Sequence, residues 1–201
     1  YYKDKFGFVP ADSIPESVSW GLEMAYYDWC IAQIAAKAGN DTLAKAYQEK
    51  ASYYKRYLDP ETKLMRGVMA DGSFRTPFNP RYSSHMKSDY TEGNAFQWSF
   101  FVPHDMDSFI AEIGGKKELE TRLDTLFTTS SQIDGAEASG DITGLIGQYA
   151  HGNEPSHHVA YLYAYAGQQW KTAEKVSYIQ HNFYTDQPEG IIGNEDCGQM
   201  S

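Results

Sequence analysis

Apolar residues recur at intervals of three and four over the first sixty positions, and this period constrains the fold more than any other feature. Such spacing places apolar side chains on one face of an α-helix. Ser13 with Glu16 is typical of a capping box that begins one helix, which Gly39 ends; a second runs from Asn40 to the Asp59-Pro60 stop. The apolar positions are Val18, Leu22, Ala25, Trp29, Ala32 and Ala36, then Leu43, Tyr47, Ala51, Tyr54 and Leu58. The short connection predicts an antiparallel helical hairpin.

Further helical segments alternate with long polar loops along the rest of the chain. Turn signals at Asp71-Gly72, Pro77 and Pro80 mark residues 59–89 as a loop, with one short strand at 64–69. The remaining helices are predicted at 91–103, 105–113, 117–127, 155–167 and 170–184, and a Gly-rich loop at 139–153. The fold class is therefore all-α. Alternating short and long connections are typical of an α/α toroid, and we interpret residues 1–201 as a single domain.

Charge and hydropathy exclude two classes of partner. The formal net charge is -10, and an acidic surface repels phosphate backbones, so we expect no nucleic acid. No apolar run approaches the length of a membrane span. The opening residues Tyr1-Tyr2-Lys3-Asp4 do not form a signal peptide.

Three predicted loops each hold a dense cluster of polar residues, at 89–94, 147–158 and 193–199. In the first, Thr91 could cap a helix with Glu92 in its first turn. Asn153, Glu154 and Pro155 could begin another helix in the same way. No predicted helix follows the third cluster, and its adjacent acids are stable only if solvated, cation-bound or shifted in pKa.

Carboxylates on separate loops are what glycoside hydrolysis needs. One carboxylic acid protonates the leaving oxygen, and one carboxylate activates water from the opposite side. Glu92 and Asp196 meet this requirement if a toroid brings their loops to one end.

The second cluster also raises the question of a metal. His151, Glu154, His157 and His158 have spacings that loosely suggest zinc, although no H-E-x-x-H motif is present. The oxygen-rich side chains of Gln148, Asn153, Glu154 and Glu195 suit calcium better. Both alternatives stay open on composition alone.

Motifs along nearly the whole chain resemble the catalytic domain of glycoside hydrolase family 92. They are Ser17-Val18-Ser19 with Leu22-Glu23, Tyr27-Asp28-Trp29-Cys30, Met65-Arg66-Gly67, Tyr90-Thr91-Glu92-Gly93-Asn94-Ala95, Phe101-Val102-Pro103-His104-Asp105, residues 141–158, Ala166-Gly167-Gln168 with Trp170-Lys171-Thr172, and residues 193–201. The resemblance implies an exo-acting, inverting, calcium-dependent α-mannosidase built from an N-terminal β-sandwich and an (α/α)6 barrel. We expect this chain to hold most of the barrel, without the sandwich and the closing helices.

The resemblance also implies roles for individual residues. Glu92 matches the family's general acid and Asp196 its base. Calcium would bind near Gln148, Asn153, Glu154 and Glu195, and mannose-containing glycans would be the partners, in a secreted or periplasmic protein. Expected sugar contacts are Trp98, Tyr149, His151, Asn153, Glu154, His157 and Asn194. Two alternatives are a carbohydrate-binding toroid without catalysis, which would not need Glu92 and Asp196 together, and a zinc-dependent hydrolase.

Overall fold

The computed structural model describes residues 1–193, in which seven α-helices alternate with long irregular segments. They are α1 Tyr2–Phe6, α2 Ser17–Lys37, α3 Asp41–Ala51, α4 Ala95–Trp98, α5 Met106–Ile113, α6 Lys116–Thr128 and α7 Gln169–Phe183. Strands β1 Leu145–Ile146 and β2 Tyr149–Ala150 pair antiparallel, and 3₁₀ segments lie at Ser52–Tyr57, Glu154–Ser156 and Val159–Ala164. The all-α class is confirmed. The (α/α)6 barrel and the single domain over 1–201 stay predictions.

The predicted helical hairpin is confirmed, because α2 packs against α3. Asn40 caps α3, and its side-chain oxygen accepts the N–H of Leu43 at 3.1 Å. After Ala51 the chain tightens into the 3₁₀ segment, which buries the rings of Tyr54 and Tyr57. The second predicted helix therefore forms, with its last turn in a tighter winding.

The start of α2 differs from the prediction. The helix begins at Ser17 and not at Ser13, and its N-cap residue, Glu16, has a left-handed φ of 57° and no capping side chain. The N–H groups at the helix start find tertiary partners instead: Glu16 N donates to Ser88 O at 2.7 Å, and Val18 N donates to Asp89 O at 3.0 Å. This contact ties the start of α2 to the segment that leads into Glu92.

Three other elements differ from their predictions. Residues 64–69 form isolated bridges, Leu58 with Met65 and Val68 with Phe74, in place of a strand. The helix expected from Thr91 begins at Ala95, because the side chain of Asn94 supplies the cap. The region 155–167 winds as two 3₁₀ segments, so capping by Asn153 is confirmed but an α-helix there is wrong.

One core runs through the described part of the chain. It joins α2 and the 3₁₀ segment after α3 to α4, α5, α6 and the inner face of α7, and it includes Tyr90 and Ala95 on either side of Glu92. Its largest fully buried side chains include Tyr54, Tyr149, Tyr163, Phe109 and Leu123. Within residues 1–193 no helix is both long and apolar enough to cross a membrane.

Candidate active site

Glu92 lies in a tight loop that precedes α4. Hydrogen bonds hold the backbone of this loop at Thr91 and at Glu92. Glu92 has φ 46°, a left-handed conformation that destabilises a non-glycine residue by about 1–2 kcal/mol. Thr91 N donates to Ser19 Oγ at 2.8 Å, and Thr91 O accepts from Trp98 Nε1 at 2.7 Å. Glu92 O accepts from Asn153 Nδ2 at 2.9 Å. These bonds fix the direction in which the Glu92 side chain leaves the backbone.

Trp98 lies beneath this loop. Its side chain is 3% exposed, and its ring packs against Phe101 with centroids 5.4 Å apart. A Cβ at Gly93 would lie 2.9 Å from the indole atoms Cδ1 and Nε1, so only glycine permits this approach. Trp98 supports the Glu92 loop from this position, and its contact with sugar stays a prediction.

A chain of buried side-chain amides connects the same loop to the β1–β2 hairpin. Asn94 Oδ1 caps α4, and Asn94 N donates to Gln97 Oε1 at 2.9 Å. Asn94 Nδ2 donates to Gln148 Oε1 at 2.8 Å, and Gln97 Nε2 donates to Gln148 O at 3.1 Å. Gln148 Nε2 in turn donates to the carbonyls of Ser130 and Gln132. Both ends of the Gln148 amide therefore bind protein, and Gln148 links the Glu92 loop to the segment 130–132; its role as a calcium ligand stays a prediction.

The surroundings of Glu92 favour its protonated form. Burial raises the pKa of the Glu92 carboxyl, and the negative charges of Asp141 and Glu154 act in the same direction, while the amide of Asn153 opposes the shift. A carboxyl that keeps its proton to higher pH suits a general acid. Asp141 was not predicted as a site residue. The sequence signal that could have identified it is its position at the start of residues 141–158, one of the stretches that resemble the family.

The second cluster contributes Asn153 and Glu154 to this site. Asn153 is 4% exposed, and its Oδ1 accepts the N–H of Glu154 at 3.2 Å while its Nδ2 binds the Glu92 loop. Glu154 is half-buried, and its charge acts on both Glu92 and His157. The fold thus brings Glu92 next to Asn153 and Glu154, which lie about sixty residues later in the sequence.

Tyr149 and His151 lie in the interior. His151 is 1% exposed, with Nδ1 2.7 Å from Tyr149 Oη and Nε2 2.7 Å from Tyr184 Oη. Burial lowers the pKa of His151 to about 4, and nearby His157 adds to the shift, so the ring is neutral at pH 7. Tyr149 is 1% exposed against Phe127. In the described structure both side chains belong to a buried hydrogen-bond network, and their contacts with sugar stay predictions.

The other two histidines of the second cluster, His157 and His158, also make internal contacts. His157 Nε2 donates to His151 O at 3.0 Å, and His158 Nε2 donates to Phe100 O at 2.9 Å. Among residues 1–193 no group of three His, Cys, Asp or Glu side chains is placed to hold a metal. The described region therefore does not form the histidine site that zinc would need. Calcium stays a prediction.

The third cluster lies mostly outside the described residues. Asn194, Glu195 and Asp196 belong to the last eight residues, of which the structure describes none. Gly193, just before them, contacts the second cluster: a Cβ at Gly193 would lie 2.3 Å from the carbonyl oxygen of Gly152. The chain therefore enters the third cluster next to the backbone of His151–Asn153.

A cavity of 390 Å³ lies beside the residues that precede Glu92. Its lining includes Phe78, Tyr82, Lys87 and an ion pair in which Arg75 Nε lies 3.1 Å from Asp89 Oδ2. Glu92, Asn153 and Glu154 are not among its lining residues. The cavity therefore lies next to the candidate active site, and Glu92 does not line it.

Comparison with known proteins gives consistent matches. The sequence profile of the glycosyl hydrolase family 92 catalytic domain matches residues 1–201. A family 92 α-mannosidase from Bacteroides thetaiotaomicron, solved in complex with mannoimidazole, is 44% identical with a TM-score of 0.88, over 96% of this chain and 26% of that one.

Two further relatives extend this comparison. A family 92 inverting mannosidase from the same organism is 33% identical with a TM-score of 0.81, over 98% of this chain and 27% of that one. An uncharacterized secreted glycosidase of Arthroderma benhamiae is 26% identical over 96% of this chain and 26% of its own length. The chain thus spans about a quarter of the length of these relatives.

Proposed function

Because this chain belongs to glycosyl hydrolase family 92, we propose that it supplies the general acid of an exo-acting, inverting α-mannosidase assisted by calcium. The observation that carries the proposal is Glu92, a carboxyl of raised pKa on a braced left-handed loop beside Asn153 and Glu154. Relatives 44% and 33% identical are described as an α-mannosidase and an inverting mannosidase, which supports the substrate class and the stereochemistry.

The proposed reaction uses two carboxyl groups. Glu92 donates its proton to the glycosidic oxygen as the bond from that oxygen to the anomeric carbon breaks. Asp196 takes a proton from a water molecule, whose oxygen attacks the anomeric carbon from the opposite side. The products are the shortened glycan, with a new hydroxyl, and mannose of inverted configuration. The contact between Gly193 and Gly152 supports Asp196 as the base, because the third cluster begins beside the second.

Calcium is proposed as the cofactor on the chemistry of the donor set. The cation would bind the cis hydroxyls O2 and O3 of mannose and help to flatten the ring. Glu154 would hold it from the described region and Glu195 from the third cluster, since carboxylate oxygens are ligands that calcium prefers. Gln148 and Asn153 are engaged with the protein and would support this site indirectly.

We expect a chelator to abolish mannose release by the full-length protein, and calcium to restore it. The reason is that the hydroxyl chelation depends on the cation. Release of mannose from an α-linked mannobiose, followed before and after dialysis against a chelator, measures this. Readdition of magnesium at equal concentration is the control for ionic strength. Full activity in excess chelator, or better recovery with zinc than with calcium, would reject the proposed cofactor.

The proposed partners are mannose-containing glycans, and the proposed location is outside the cytoplasm. The secreted glycosidase among the relatives supports the location.

A further inference from the structure

Asn153 makes an unusual contact for a residue expected to bind sugar or calcium. Its Nδ2 donates at 2.9 Å to the backbone carbonyl of Glu92, 61 positions away in the sequence. Its Oδ1 faces the N–H of Glu154 at 3.2 Å. A donor on one side and an acceptor on the other fix the orientation of the amide, because the reverse orientation would place oxygen against oxygen. With 4% of the residue exposed, little of it is accessible to a ligand.

The Glu92 loop has a physical need for such a contact. A left-handed backbone at Glu92 is unfavourable for a residue with a Cβ and persists only when its surroundings enforce it. Trp98 holds the peptide before Glu92 through Thr91 O, and Ser19 holds the preceding peptide through Thr91 N. Asn153 holds the peptide after it. With both flanking peptides fixed, the Cα–Cβ direction of Glu92 is fixed as well.

We propose that Asn153 is a positioning residue for the general acid: it holds the Glu92 peptide so that the carboxyl points at the leaving oxygen, and it binds neither sugar nor calcium directly. This inference rests on the proposed function. The segment 147–154 then supports the Glu92 loop at two points, since Gln148 binds Asn94 and Asn153 binds Glu92.

The variant Asn153→Ser in the full-length protein separates positioning from ligand binding. Serine can still cap the N–H of Glu154, but its hydroxyl is too short to reach the Glu92 carbonyl. We expect kcat on an α-linked mannobiose to fall by about 10- to 100-fold, because misplacement of a catalytic group has effects of that order. An aryl mannoside with an acidic phenol should lose less than about 3-fold, because its departure needs little protonation. KM and the half-activating calcium concentration should stay the same.

Asn182→Ala is the matched control. Asn182 Nδ2 also donates to a backbone carbonyl, that of Tyr178 at 2.7 Å, but on the exposed face of α7. Both rates should be unchanged in this variant. If Asn153→Ser folds only in part, the ratio of its rates on the two substrates still reports positioning, since both come from the same folded fraction.

Two results would overturn the inference. Equal losses on both substrates would show that Asn153 does not act through the acid, and a raised calcium requirement would make it a ligand. Glu92→Gln, assayed alongside, separates this failure from that of the proposed function. If Glu92→Gln shows the leaving-group dependence and Asn153→Ser does not, only the positioning role is rejected. If Glu92→Gln lacks it, the acid assignment and the inference fail together.

Discussion

Glu92→Gln should lower kcat/KM on an α-linked mannobiose by about 10³-fold, because general acid catalysis contributes about 10²–10⁴-fold. An aryl mannoside with an acidic phenol should lose less than about tenfold, since its leaving group departs without full protonation. Glutamine matches glutamate in shape, so the braced loop should persist. Steady-state rates on the two substrates, measured with the same enzyme preparation, give the comparison.

The pH dependence of the rate is a second test of the role of Glu92. Glu92 must be protonated to act, so the rate on mannobiose should fall as pH rises through its pKa. Burial and the charge of Asp141 hold that pKa above the ordinary value for a glutamate, so the fall should lie above the usual carboxyl range. Glu92→Gln should lose this limb of the profile.

The control is Glu174→Gln, which removes an exposed carboxylate paired with Lys175 on α7 and should leave both rates unchanged. Equal losses on both substrates in Glu92→Gln would make Glu92 structural. Retention of both activities would reject Glu92 as the general acid.

Asp196→Asn should lower the rate by about 10³-fold or more on mannobiose and aryl mannoside alike, because water must be activated whatever the leaving group. This uniform loss, set against the graded loss at Glu92, distinguishes base from acid. The measurement is again kcat/KM on the two substrates.

Glu195→Gln is the necessary companion, since Glu195 is adjacent in sequence. If Asp196→Asn stays active while Glu195→Gln is inactive on both substrates, the base has been assigned to the wrong neighbour. If both variants stay active, the third cluster does not supply the base.

The helical hairpin could be predicted from sequence because its determinants are local. Apolar spacing sets the helical faces, and Asn40 caps α3 through a residue three positions away. The start of α2 could not be predicted in this way. Its N–H groups bind the carbonyls of Ser88 and Asp89, some seventy residues later in the chain, and no local pattern records such partners.

The candidate site also contains some features that the sequence predicts and others that it does not. Glu92, Asn153 and Glu154 were identified from polar clusters and from the resemblance to the family, and the fold brings them together. The same clusters contain buried residues with a supporting position: the polar atoms of Gln148 and His151 form hydrogen bonds with other protein side chains. Sequence does not distinguish a polar side chain that faces a substrate from one that supports its neighbour, because both need the same residue types.

The stereochemistry of the released sugar tests the two-carboxylate account most directly. Inverting enzymes place their carboxyl groups roughly 6.5–9.5 Å apart to admit a water molecule, whereas retaining enzymes place them about 5–5.5 Å apart and form a covalent intermediate. With Glu92 as acid and Asp196 as base, ¹H NMR of the full-length protein acting on an α-mannoside should detect β-mannose first, before mutarotation. Initial release of α-mannose would contradict the assignment of Asp196 as a base acting through water.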